Sequence, residues 1–315
     1  MPNEFKVAEG QRVRLTKEQQ KRIRKLYNEV LSDVRKETGK LKNRTNVSSV
    51  IRTQLIKGMA REAKQELNSV SKSVESEIKR SVLAMSKGVV LANQDLLVKM
   101  GMPKMYSSIA YSYLPTDIVE QIISGTLYKG KWTLSKAIWS DNEKTLQDID
   151  YIIAKGIAEN KSAYDIAKDL ERYVNPAARK AWDWSKVYPN TKKKIDYNAQ
   201  RLARTMVSHA YQESFVRTTQ KNPFIENYKW LMSNSDRVCP VCIARATDDH
   251  YGLGAGIYPK DELPLDHPNG MCTFEAVITK SYTDIAKDIK AWSKGEGDKR
   301  LNNQLDKFYA DLIGK

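Results

Sequence analysis

The sequence predicts a mainly α-helical protein with a small, zinc-stapled antiparallel β module near its C-terminus, an α+β class, and an elongated helical limb at its N-terminus. Three observations predict this. Apolar residues recur at helical spacing from Ile23 to Ala210. Two short runs, Ile225–Leu231 and Cys272–Thr279, are rich in aromatic and β-branched residues and read as strands. All three cysteines and two of the three histidines lie between these runs or at their edge.

The elements follow in chain order. Thr16-Lys-Glu-Gln19 has the form of a capping box. Behind it Ile23, Leu26, Tyr27, Val30, Leu31 and Val34 fall at helical spacing, and Gly39 marks the end. After the linker LKNRTN, Ser48 or Ser49 caps a second helix. Its apolar positions, Ile51, Leu55, Met59, Ala63, Leu67, Val70, Val74, Ile78, Val82, Met85 and Val89, repeat at steps of four or three. That is a helix of about 40 residues and about 60 Å. So narrow a stripe on so long a helix predicts a hairpin or limb whose apolar side is left partly exposed for a partner.

Pro103, Pro115, Gly125 and Gly130 break residues 101–135 into short helices and turns, one starting at Pro115-Thr116. Helices then run over about 142–158, over SAYDIAKDLERYV behind the cap Ser162, and, past Trp182, Trp184 and the Tyr188-Pro189 break, through Ile195 to Ala210. Leu301, Leu305, Phe308 and Leu312 form a final helix. The expected segments are a basic helical hairpin or limb over 1–100, a helical domain over 101–222, the β module over 223–280 and a helical tail over 281–315.

Charge is uneven. The net charge is +15, and the first hundred residues hold 22 Lys and Arg against 11 Asp and Glu, so +11 of the excess lies there. Arg12, Arg14, Lys17, Lys21, Arg22, Arg24 and Lys25 place seven cations in fourteen residues, with Glu18 as the only acid. Such a cluster fits a polyanion such as double-stranded DNA, an acidic protein surface, or a solvated helix face. No helix-turn-helix, basic zipper or aromatic RNA-binding pattern accompanies it, so sequence-specific base reading is not expected. Nothing at the N-terminus has the apolar core of a signal peptide, and no run reaches the roughly 20 apolar residues of a membrane helix. Three cysteines in a metal-binding pattern fit a reducing compartment, the cytoplasm, better than a disulfide framework.

Cys239 and Cys242, with Pro240 between them, can grip one ion from a single tight turn. His267 and Cys272, in a turn shaped by Pro268 and Gly270, can supply two further ligands. Four ligands of this kind fill a tetrahedral ion, and thiolate–imidazole sets favour zinc. A filled tetrahedron argues for a structural role, because catalytic zinc keeps a position open for water. The zinc-deaminase pattern needs His-x-Glu ahead of the cysteine pair, which is not the order here. His250 could replace His267, His209 reads as a packed histidine on a helix, and three unrelated buried thiols are the plain alternative.

The order of features resembles a known family. A helix of A-R-T type, LARTMVSHAYQES, leads to a strand ending in W-x-x-S-x-x-D-x-x-V-C-x-x-C, here WLMSNSDRVCPVC, and the unit closes with H-P-x-x-x-C and a strand. This is similar to the C-terminal module of phage minor head proteins, the Mu-F-like head morphogenesis family, from Ile138 to Thr279. The family's usual H-P-x-C-R-C is HPNGMC here, and its usual acid after A-R-T is Met206. The resemblance implies a structural, non-enzymatic minor capsid protein, present in few copies at the portal vertex inside the head after assembly in the host cytoplasm. Its implied partners are the portal protein, packaged double-stranded DNA and the major capsid protein, with the long helix docking on the portal. The alternatives are another zinc-containing nucleic-acid-binding protein and a zinc-dependent nuclease. The nuclease would draw on Asp248, Asp249, His250, Asp266 and His267 for acid, base and ligands.

Overall fold

A computed structural model describes residues 3–42, 48–128, 133–177, 195–233 and 238–313. The chain is mainly helical with one three-stranded antiparallel sheet, the α+β class expected. The helices are α1 (Asn3–Leu41), α2 (Ser49–Lys99), α3 (Lys104–Ser107), α4 (Leu114–Ser124), α5 (Leu134–Ala158), α6 (Ala163–Val174), α7 (Tyr197–Thr219), α8 (Pro240–Thr247), α9 (Tyr282–Ser293) and α10 (Lys299–Leu312). The strands are β1 (Asn227–Leu231), β2 (Ile257–Pro259) and β3 (Thr273–Val277), in the order β2-β1-β3. Gly130, Trp182, Trp184, the Tyr188-Pro189 break and most of the LKNRTN linker lie outside the described residues. Among the described residues no helix is long and apolar enough to cross a membrane.

The chain groups into two compact units, each built from separated segments: Met1–Thr16, Arg80–Ile122 and Arg204–Lys315 in the first, Lys17–Lys79 and Ile123–Ala203 in the second. Helices α1 and α2 contribute to both.

In the second unit α1 and α2 run antiparallel, with Arg22 of α1 ion-paired to Glu77 of α2. Ile23, Val30 and Val34 of α1 and Ile56, Met59, Ala63, Leu67, Val70, Val74 and Ile78 of α2 are buried. The expected stripe is therefore present, but this chain's own residues cover it. The apolar residues that α2 does expose, Val50, Ile51, Leu91 and Val98, mostly fall off the stripe. The idea of a partly exposed stripe is corrected on that ground. Ser162 caps α6 as expected, accepting the Asp165 N–H at 3.1 Å. Gly156 of α5 leaves the space that the Ile166 side chain of α6 occupies.

Three boundaries differ from the sequence reading. Helix α1 begins at Asn3, and Thr16 and Gln19 sit buried within it rather than at its start. Phe5, Ala8, Arg12, Thr16, Gln19 and Ile23 continue one inward face at steps of three and four. Tertiary burial extends the helix through polar residues that interrupt the apolar pattern. Helix α2 runs ten residues past Val89, to Lys99, through the buried Leu96 and Leu97. Helix α5 starts at Leu134, where the Thr133 hydroxyl accepts the Lys136 N–H at 3.1 Å.

The first unit holds the sheet. Its inward face carries Tyr228 and Trp230 of β1, Tyr258 of β2 and Phe274 and Ala276 of β3, with Trp230 opposite Phe274 in register. Strand alternation aims these side chains to one side. There they meet Tyr211 and Phe215 of α7, whose rings lie 6.4 and 6.3 Å from Phe274. Phe5 of α1 packs edge-on against Phe215 at 4.9 Å. An aromatic layer thus joins helix α7 to the sheet, and its strand edges lead to the metal-ligand turns. Strand β2 and helices α8 and α9 are additions to the elements expected from the sequence.

Candidate metal centre

Helix α8 opens on the cysteine pair. Cys239 is its N-cap, Pro240 takes the first helical position, and the Cys239 sulfur accepts the Cys242 backbone N–H at 3.4 Å. Proline is favoured at that position because its missing N–H would have no helical partner. The Cys242 N–H holds the Cys239 thiol below its ordinary pKa. Burial, reinforced by the neighbouring Cys272 and Cys239, pushes the Cys242 thiol up. The two sulfurs of this turn are thus electrostatically unequal before any ion is added.

The second turn runs from Pro264 to Cys272. His267 Nε2 lies 3.3 Å from the Cys239 sulfur, and its Nδ1 lies 3.0 Å from the Pro268 carbonyl. A carbonyl can only accept, so Nδ1 carries the proton and Nε2 turns its lone pair toward the thiols, as a metal-ligating imidazole must. Cys239, Cys242 and His267 form one group of mutually close ligand atoms, and Cys242, Asp266 and Cys272 form another, with Cys242 shared. The four sequence-predicted ligands are divided between these two groups, and the Cys/His group can hold a metal ion. His250 is exposed beside the Tyr258 ring and belongs to neither group.

Asp266 is the member that a four-ligand reading of the sequence leaves out. It is 4 % exposed. Its Oδ1 accepts the His267 N–H at 2.8 Å and its Oδ2 the Cys272 N–H at 3.3 Å. One carboxylate thereby fixes the backbone of two ligand residues, a supporting role common around metal ligands. A Cβ at position 270 would fall inside the volume of this carboxylate, which is why the turn closes on Gly270.

Helix α7 holds the same turn from the other side. Thr205, Ser208, His209 and Gln212 lie at steps of three, one and three, on one face of the helix. Thr205 Oγ1 accepts the Asn269 N–H at 2.8 Å, and Ser208 Oγ donates to the Gly270 carbonyl at 3.0 Å. His209 Nε2 donates to the Asp266 carbonyl at 3.0 Å, while Gln212 donates to the Pro264 carbonyl at 2.7 Å and accepts the Asp266 N–H at 2.8 Å. His209 is a packed histidine, as expected, and burial lowers its pKa. The A-R-T helix thus reads the backbone of the ligand turn, and Thr205 is the threonine of that pattern. Met206, where the family carries an acid, is buried apolar. Residues 234–237, which hold the pattern's Asp236, lie outside the described residues.

The other predicted site residues divide. Arg12 is 1 % exposed, so a place on a nucleic-acid-binding surface is corrected: it donates inward to the carbonyls of Cys272 at 2.7 Å and Met271 at 3.1 Å. Arg22 is ion-paired with Glu77 and Glu18, and Arg24 with the buried Asp196. Arg14, Lys17, Lys21 and Lys25 are exposed, the last three at steps of four along one face of α1. Asp248 and Asp249 shape the exposed loop after α8, accepting from Thr247 Oγ1 at 3.1 Å and the Leu253 N–H at 2.9 Å, and are not in the ligand groups. Sequence reasoning misses Asp266, Thr205, Ser208 and Gln212 as supports of the site. Their signal is the polar face of α7 and the Asp placed directly before His-Pro. Comparison with protein-family models, with curated proteins and with solved structures returns no match to this chain.

Proposed function

We propose that this chain is a minor structural protein of a tailed-phage head, associated with the portal, in which a zinc ion staples the C-terminal module. Cys239, Cys242, His267 and Cys272 would hold the ion, and its contribution there is folding free energy rather than reactivity. The observation that carries the reading is the hydrogen-bonded unit formed by helix α7, strand β1, the Cys239–Cys242 turn and the His267–Cys272 turn. These are the features, in the same chain order, on which the resemblance to the head morphogenesis family rests. Soft ligands in a set with backbone-clamped geometry favour a permanent staple over a site that must exchange water and substrate.

The test is quantitative mass spectrometry of purified particles made from the genome that encodes this chain. The proposal expects the chain in a few copies per particle, at a ratio to the portal protein that survives gradient purification. Its absence from particles, or recovery only in the soluble lysate, would sink the reading. Incubation of the purified protein with plasmid DNA and divalent metal separates the nuclease alternative, since cleavage lost in Cys242→Ser would support an enzyme.

A further inference from the structure

Arg12 is a charged side chain placed in the interior of the first unit. Its two terminal nitrogens donate to the carbonyls of Met271 and Cys272, its guanidinium stands 4.8 Å from the centre of the Tyr211 ring, and its Nε has no partner among the described residues. Carbonyls and a ring face satisfy donors but bring no full negative charge. The carboxylate of Glu9 stands 3.9 Å away and is one-third exposed. A buried guanidinium needs a compensating charge more complete than that.

One of the carbonyls it grips belongs to a ligand residue, Cys272, and the other to the residue before it. When Cys239, Cys242, His267 and Cys272 hold a divalent ion, three thiolates against two positive charges leave a net negative centre. The carboxylate of Asp266, which accepts the Cys272 N–H, adds to it.

We infer that Arg12 is a positioning residue for the metal centre: it holds the Cys272 turn and supplies the buried countercharge to the thiolate set, so that metal occupancy and docking of the first turns of α1 are coupled. The inference rests on the four-ligand reading proposed above. The coupling is reciprocal, because whatever favours the docked helix in the loaded state must favour metal in the docked state by the same factor.

The experiment uses the full-length protein loaded with zinc. Affinity is read by competition with a chromogenic chelator, and docking by hydrogen exchange over residues 3–16, with residues 56–78 of α2 as the internal reference. Arg12→Met should weaken zinc binding by about 10- to 100-fold, the range for supporting residues around a metal. Arg12→Lys, which keeps the charge but not the fork, should lose less, and Glu9→Gln should leave affinity unchanged. Chelation of the wild type should speed exchange across 3–16 by at least about tenfold while 56–78 stays protected. Wild-type affinity in Arg12→Met, unchanged protection of 3–16 after chelation, or a Glu9→Gln loss as large as that of Arg12→Met would each overturn the inference. A wild type that binds no zinc would overturn the ligand reading and this inference with it, which metal analysis alone distinguishes. If Arg12→Met does not fold, Arg12→Lys and the wild-type exchange comparison decide between coupling and its absence.

Discussion

The helix pair of the second unit and the ligand turns of the first are held by opposite means. In the second unit the interior is made of buried aliphatic side chains, Ile23, Val30 and Val34 of α1 and the stripe from Ile56 to Ile78 of α2, with the ion pair Arg22–Glu77 between the two helices. The turn from Pro264 to Cys272 has few apolar residues, and polar side chains of α7, with Arg12 and Asp266, hold its backbone groups one by one. Apolar packing is non-directional and tolerates approximate shape. A backbone held by named hydrogen bonds keeps ligand atoms in place but has little stability of its own, which is where a metal becomes decisive. The comparison therefore predicts that metal governs one region and leaves the other nearly untouched.

Metal removal is the largest expected effect. Purified protein should carry about one zinc per chain, and Cys239→Ser or Cys242→Ser should lose it. Small zinc modules draw about 10–16 kcal/mol of apparent binding free energy from the ion. Chelation should thus unfold the stretch from Ile225 to Thr279, detected by hydrogen exchange, while far-ultraviolet circular dichroism retains most of the helical signal. Complete loss of helicity on chelation would break the comparison, because α2 would then depend on the metal as well.

The converse is a cavity in the helix pair. Ile78→Ala, at a fully buried position, should destabilise the second unit by about 2–5 kcal/mol in denaturant titration. Zinc affinity should stay within about twofold of wild type, since independent sites with no shared partners are nearly additive. A large fall in affinity would show that the two regions are coupled.

Two smaller perturbations sharpen the view of the ligand turn. Gly270→Ala pushes a methyl group into the Asp266 carboxylate and should cost about 1–3 kcal/mol, with weaker zinc binding. Ser208→Ala removes the donor to the Gly270 carbonyl and should cost about 1 kcal/mol. Both are measured by thermal unfolding with and without added chelator. If the comparison holds, the difference from wild type shrinks in chelator, where the turn is already lost.

The same contrast explains what is legible in the sequence. Helical periodicity exposes the α2 stripe almost residue for residue, because an apolar face repeats. Ser162 and the cap of α2 at Ser48 are legible for a similar reason: capping chemistry is local, and Ser48 accepts the Ile51 N–H at 3.4 Å. The Cys/His group is legible because cysteine is scarce and its spacing is chemically specific. The supports of those ligands are not, since Thr205, Ser208 and Gln212 look like any polar residues on a solvated helix. Only the fold shows which backbone they face. Arg12 shows the limit most sharply: in the sequence it is one of seven cations in a basic run, and in the structure it is the one turned inward. The missed strand β2 spans only Ile257–Pro259, too short to display an alternation.

That separation of Arg12 from its neighbours reshapes the expectation for DNA, the smallest effect on the fold. Arg22 and Arg24 are engaged by Glu77 and Asp196, which leaves Arg14 exposed and Lys17, Lys21 and Lys25 as an exposed row on α1 within the second unit. A row of three lysines can displace condensed counterions from phosphates but offers no contact to base edges, so binding should be weak and indifferent to sequence. A dissociation constant of about 10⁻⁴ to 10⁻⁶ M near physiological salt is expected for the full chain on double-stranded DNA. Each phosphate contact contributes about 0.9 to the log–log salt slope, so replacing all three lysines with Gln should flatten it by about 2.7. Stability should change by no more than about 0.5 kcal/mol, as for exposed positions generally, and zinc content should not change. Fluorescence anisotropy at several salt concentrations measures the slope. An unchanged slope in the triple variant would assign this row to solvent or to a protein surface, and with it the basic character of the helix pair would lose its connection to nucleic acid.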